Sequence, residues 1–187
     1  MKQIIKKILL IIFLTLIQKL AFAELIYVSN EKDHNMSVID GNSLEVIKTV
    51  KVGHRPRGII LSKDKKKIII CTSDDNRIAV VDVASLEIEY YLPSGPDPEL
   101  MVMDDAGKFI YVANEDDNMV TVVDYLGKKI VKEIPVGVEP EGMGLSPDGK
   151  TLVNTSETTN MAHFIDTSTL EIKANVLVDA RPRVAQY

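Results

Sequence analysis

Apolar residues along this chain come in runs of only a few positions, rich in Ile and Val and separated by polar, turn-forming segments. Across residues 58–91 the runs are Gly58-Ile59-Ile60-Leu61, Ile68-Ile69-Ile70-Cys71, Ile78-Ala79-Val80-Val81 and Ile88-Glu89-Tyr90-Tyr91. Their length and β-branched content predict strands, and no stretch keeps helical spacing long enough to compete. The runs do not alternate cleanly between apolar and polar, so both faces of each small sheet are expected to be covered, as when sheets stack on one another.

The pattern repeats at an interval of 42 residues, which links Pro56, Pro98, Pro140 and Pro182. The same step links Asp40, Asp82, Asp124 and Asp166, then Gly53, Gly95 and Gly137 with Asp179 in the fourth slot, and Asn76, Asn118 and Asn160 with His34 in the first. Several columns in step without an insertion define a repeat array. Four strands per unit of this length predict an all-β fold, a β-propeller of about four four-stranded antiparallel blades. Leu25 to Asn30 falls at a second strand and Arg183-Val184-Ala185-Gln186-Tyr187 at a first strand, so the two segments are positioned to complete one blade. Three arrangements follow: a closed four-blade ring, a half-ring completed by a homodimer, or part of a larger propeller.

The first 23 residues read differently. Lys2, Lys6 and Lys7 precede the apolar run Ile8 to Ile17, and Ala21-Phe22-Ala23 gives an A-x-A cleavage signature. That three-part pattern predicts a cleaved signal peptide over 1–23, with the repeats over 24–187 and a periplasmic location. The apolar run is short of the ~18 residues a span needs, so no stable membrane span is expected after cleavage. Across 187 residues, 22 Lys and Arg stand against 27 Asp and Glu, for a formal charge of −5. Loss of the four leader lysines leaves 18 cations against the same 27 acids, or −9. A surface this acidic argues against nucleic acid as a partner. The single cysteine excludes an internal disulfide, a CxxCH haem attachment and a thiolate zinc cluster. Cys71 is expected to be a small buried hydrophobe.

Tyr27-Val28-Ser29-Asn30 and Tyr111-Val112-Ala113-Asn114, the segment Asp117 to Asp124 and the turn Ser146-Pro147-Asp148-Gly149-Lys150 resemble the YVTN β-propeller repeat. Ile69-Ile70-Cys71-Thr72 and Val153-Asn154-Thr155-Ser156 depart from the motif without disturbing the period. Gly53-His54-Arg55-Pro56-Arg57-Gly58 and Arg181-Pro182-Arg183 further resemble the periplasmic propellers that accompany pyrroloquinoline-quinone-dependent alcohol catabolism. The resemblance implies a protein partner such as a PQQ-dependent dehydrogenase or a transporter component. A large quinoprotein dehydrogenase resembles a tryptophan-docked propeller with a vicinal disulfide, and this chain has no Trp and one Cys. A haem d1 propeller resembles this repeat in its blades, but the c-type haem domain attached to it would need a CxxCH that is not here.

In a propeller the loops between second and third strands emerge on the same face as the loops leading into each inner strand. On that face the sequence places Arg57, Glu99, Glu141 and Arg183, one after each repeated proline, with His54 nearby. They are the candidate binding residues, expected to ring a tunnel mouth. Glu31, Asp33, Asp74, Asp75, Glu115, Asp116, Asp117 and Glu157 are expected to form an acidic collar. Salt bridging within the ring competes with ligand binding as its role. The repeated aspartates are expected to bond turn backbone. His34 in a turn column and His163 in a strand do not read as metal ligands, and no metal, cofactor or catalytic residue is expected. The expected function is a non-catalytic binding or scaffold protein. Alternatives are a tunnel-mouth hydrolase of lactonase type, using His54, Glu99, Glu141 and Arg57, and a cell-surface adhesion protein.

Overall fold

The computed structural model describes residues 24–187, so the expected leader over 1–23 lies outside the described residues. Its strands fall into four antiparallel sheets, each a meander in chain order. The first sheet holds β1 (Leu25–Asn30), β2 (Asn35–Asp40) and β3 (Val46–Lys51). The second holds β4 (Pro56–Leu61), β5 (Lys67–Thr72), β6 (Arg77–Asp82) and β7 (Ile88–Pro93). The third holds β8 (Pro98–Met103), β9 (Phe109–Asn114), β10 (Met119–Asp124) and β11 (Lys129–Pro135). The fourth holds β12 (Pro140–Leu145), β13 (Thr151–Ser156), β14 (Met161–Asp166) and β15 (Glu171–Leu177). These are propeller blades with inner strands β4, β8 and β12. The first blade has three strands among the described residues, and residues 183–187 are not hydrogen-bonded into a sheet. The segments that could complete one blade are therefore not paired within the chain.

The apolar runs are continuous because each sheet has a neighbour on both sides. Ile68 and Ile70 of β5 pack with Met36 and Val38 of the first blade, while Ile69 and Cys71 pack with Met101, Ile110 and Val112 of the third. Tyr111, Val120 and Val122 face Met143, Leu152 and Ile165 of the fourth. Successive residues of one strand thus feed two cores, as a pleat requires. Cys71 is wholly buried in the second of these layers.

The repeat columns have local causes. Asp40 Oδ1 accepts from the backbone N–H groups of Asn42 and Ser43, at 2.8 Å each, and Asp82 Oδ1 accepts from Ala84 and Ser85 at 3.0 and 2.9 Å. Asp124 accepts from Gly127, and Asp166 from Ser168 and Thr169. The aspartates are turn makers, as expected from a carboxylate one methylene from the backbone. The Ser-Pro-Asp-Gly-Lys turn closes in the same spirit: Ser146 Oγ donates to Asp148 Oδ1 and accepts from Thr151 N–H. Gly137 is required by close approach, since a Cβ there would stand 2.7 Å from Ser156 Cβ and 2.9 Å from His163 Nε2. Gly149 is required by its φ of +70°, and nothing lies within 4 Å of its missing Cβ.

Gly137→Ala is expected to cost on the order of 1–3 kcal/mol because the second-to-third-strand loop must yield. Gly149→Ala is expected to cost about 1 kcal/mol from backbone strain alone. Urea midpoints of the two variants check the order.

Candidate functional site

The residue before each repeated proline, namely Arg55, Asp97, Glu139 and Arg181, has φ of 50°, 48°, 58° and 59°. Left-handed backbone is uncommon in non-glycine residues and needs support. Each is latched by the side chain 21 residues earlier. The N–H of Arg55 donates to His34 Nδ1 at 3.0 Å, and those of Asp97, Glu139 and Arg181 donate to the Oδ1 of Asn76, Asn118 and Asn160 at 3.0, 3.1 and 3.1 Å. On the far side the carbonyls of Arg55, Asp97 and Glu139 accept from the N–H of Ser73, Glu115 and Glu157 at 3.0, 3.0 and 2.8 Å. The repeated Asn column, with His34 as its first member, is thus the latch of the loop entering each inner strand.

These latched loops bring the side chains on both sides of the prolines together. Arg55 Nη1 donates to both oxygens of Asp97 at 2.9 and 3.0 Å, its Nη2 to Glu99 Oε1 at 3.2 Å, and its Nε to Glu31 Oε1 at 3.3 Å. Arg57 Nη2 is ion-paired with Glu99 Oε2 and donates to Glu141 Oε1 at 3.3 Å, joining the second blade to the fourth. Arg183 Nε lies 3.4 Å from Glu141 Oε2 and 2.7 Å from Glu157 Oε2, and Arg181 pairs with Glu157. Arg57, Glu99, Glu141 and Arg183 therefore meet in one network.

His54 stands apart from it. Its Nδ1 is 2.8 Å from Asp75 Oδ1, and its ring centroid is 5.3 Å from that of His34. The cleft beside the two histidines is also lined by Lys51, Ile88 and Tyr91, from the outer strands. The residues that a lactonase-type site would draw on are divided between two places. Arg55, Asp97 and Arg181 belong to the network although sequence reasoning did not select them. The signal was available, because the residue before the proline steps by 42 as the residue after it does.

Glu99 is wholly enclosed. Burial pushes its carboxyl up to about 8, opposed by Arg57 and reinforced by Asp97 and Glu115. Burial also raises Glu115, which shares a hydrogen bond with Glu99. Glu141 is raised by burial and by its bond to Glu157, whereas the hydrogen bond from Arg183 holds Glu157 below its ordinary value. Burial works against the Arg55 charge, but Asp97 and Glu99 outweigh it. The carboxylates of Asp97, Glu99 and Glu115 offer oxygens within 4.8 Å of one another, close enough to share a cation. Arg55 and Arg57 already fill that role, with a guanidinium on Asp97 and on Glu99.

Residues 68–185, more than half of the chain, match the family described as the cytochrome D1 heme domain. The chain belongs to the cytochrome D1 heme domain family. No curated protein matches it. Among solved structures, hydrazine synthase of Kuenenia stuttgartiensis superposes with a TM-score of 0.77 at 24% identity, over 82% of this chain and 46% of that one. This chain thus spans less than half the length of that neighbour, and the likeness speaks for the propeller fold alone.

The name of the cytochrome D1 heme domain family implies a haem, and the residues gathered at the mouth do not fit one. Haem iron takes His, Cys, Met or Tyr as axial ligand. His163 Nε2 accepts from Gly137 N–H at 2.9 Å and its Nδ1 meets Asn175 Oδ1 at 2.7 Å, so both ring nitrogens are occupied. His34 and His54 sit at the outer-strand cleft, away from the mouth, and Cys71 is locked in the core. The mouth itself is filled by arginine–carboxylate pairs, which leave no apolar bed for a macrocycle.

Burial holds Glu99 above its unfolded value, so between the usual carboxylate range and about pH 8 the folded chain binds more protons at this position than the unfolded one. Raising the pH across that window therefore removes stability. Relative to Glu99→Gln, the wild-type chain is expected to lose stability from pH 5 to pH 8, read as a falling urea midpoint that the variant does not share.

Proposed function

We propose that this chain is a non-catalytic binding or scaffold module whose loop-lined face engages a cationic protein partner. The observation that carries the reading is the division of labour among its charges. The arginines and glutamates of the mouth are spent on one another, while Asp33 and Asp116 of the collar are exposed and Asp74, also exposed, lies 3.7 Å from Arg55 at the edge of the network. An acidic rim on a rigid body steers a basic surface and fixes its orientation. The blades hold the loops in place by main-chain pairing and leave their side chains free to suit the partner.

The finer reading places the protein in the periplasm as a YVTN-type accessory to PQQ-dependent alcohol oxidation. It rests on the resemblance of Gly53 to Gly58 and Arg181 to Arg183 to the propellers of that system. The partner is then a PQQ-dependent dehydrogenase or a transporter component. Titrating purified residues 24–187 with each of these proteins, at low and high salt, tests it. Binding is expected to weaken with salt and to fall about tenfold or more in the Asp33→Asn, Asp74→Asn, Asp116→Asn triple variant. Absence of binding to both proteins overturns the accessory reading.

A further inference from the structure

The arc carries two halves of one blade at its two ends. Residues 181–187 have the marks of an inner strand: Arg181 has its positive φ and its bond to Asn160, and Pro182 follows. The segment also packs as an inner strand does. A Cβ on Gly142 would stand 2.9 Å from the Arg183 carbonyl oxygen, and one on Gly58 would stand 2.5 Å from that of Glu99, at the same offset of 41 residues. Residues 183–187 thus sit on β12 as β8 sits on β4, and no second strand pairs with them among the described residues. At the other end, β1 is a second strand with no inner strand beside it among the described residues. A cleft of about 270 Å³, lined by Leu25, Ile26, Tyr27 and residues of the second blade, is open next to it.

We propose that residues 181–187 of a second copy of this chain supply the inner strand of the first blade. Three observations select this occupant. The first is register. Complete blades pair Pro56 with Thr72, Ile59 with Ile70 and Leu61 with Ile68, and repeat this in the third and fourth blades. The same offsets set Pro182 opposite Asn30, Ala185 opposite Val28 and Tyr187 opposite Ile26. The second is charge. In complete blades the N–H at the position of Glu31 donates to the carbonyl of the residue before the proline. In the completed blade Arg181 would accept that bond, with the acidic Glu31 set beside Arg181 and Arg183. The third is exposed apolar surface at both ends, with Ile26 and Val28 at 43% and 40% exposure and Val184 and Tyr187 at 74% and 56%. Each would be covered by the union, which removes an open sheet edge. Two arcs joined head to tail and tail to head close a ring of about eight blades, within the range known for propellers.

The proposal is independent of what the loop face binds. Its test uses the double variant Val28→Cys, Ala185→Cys, because directly opposed residues of an antiparallel pair lie within disulfide reach. The native Cys71 is buried and leaves the pattern readable. Under oxidation a covalent dimer is expected on a non-reducing gel, and light scattering of the unmodified residues 24–187 is expected to give the mass of two copies. A cross-linked monomer would mean that the blade closes within one chain and would overturn the proposal. A monomeric mass, an open-ended series of oligomers, or a dimer in which the cysteines do not join would do the same.

Discussion

Each sheet of this molecule is apolar on both faces, and no four-stranded sheet can leave both to water. Ile68 to Cys71 make the constraint concrete, since consecutive side chains of that one strand are buried in two different cores. A lone blade would expose both, at roughly 25 cal/mol for every Å² of apolar surface. The repeat is therefore stable only as a stack, and the fold at every other level serves to bring the next sheet into place.

Stacking blades around an axis crowds their inner strands, and that crowding makes the site. Gly58 and Gly142 have no Cβ because the carbonyl of the next inner strand lies where it would go. The loops entering those strands are pulled toward the axis as well, and the left-handed residue before each proline is the bend that admits them. Its strain, on the order of 1 kcal/mol or more per residue, is offset at every blade by a side-chain acceptor 21 residues upstream. Once bent, the loops bring Arg and Glu from three blades within a few ångströms. Charges so enclosed have to be paired, because an unpaired one would cost several kcal/mol.

The strands, the period and the turn aspartates were legible in the sequence because each has a local cause: β-branched runs, a fixed step, an acceptor next to its own turn. The gathering of Arg57, Glu99, Glu141 and Arg183 was legible too, since the period alone puts them at equivalent places. What the period does not carry is direction. His54 is one residue from Arg55 in the chain, yet it turns outward to Asp75 while Arg55 turns inward to Asp97, because the backbone reverses its hand between them. The enclosure of Glu99 was hidden for the same reason, as it depends on Arg57 and Arg55, 42 and 44 positions away, folding over it. The place of β1 as a second strand follows from the period, but a sequence does not say whether its neighbour lies in the same chain.

The ion pairs of the mouth also answer a problem peculiar to repeat arrays. Blades with the same strands and turns can in principle stack on one another in any order, and the apolar faces do little to distinguish them. The flanks of the repeated prolines do distinguish them: two arginines at 55 and 57, two acids at 97 and 99, two acids at 139 and 141, two arginines at 181 and 183. A basic inner strand therefore meets an acidic one at the second and third blades and again beyond the fourth. Between the third and fourth, where acid would meet acid, Arg57 reaches across from the second blade to Glu141. Buried pairs of this kind add little net stability over well-packed apolar groups, yet an exchanged order would leave enclosed charges of like sign together. The network thus fixes the sequence of blades more than it strengthens any one of them, which leaves exposed collar acids such as Asp33 and Asp116, bound to no such duty, as the charges free to meet a partner.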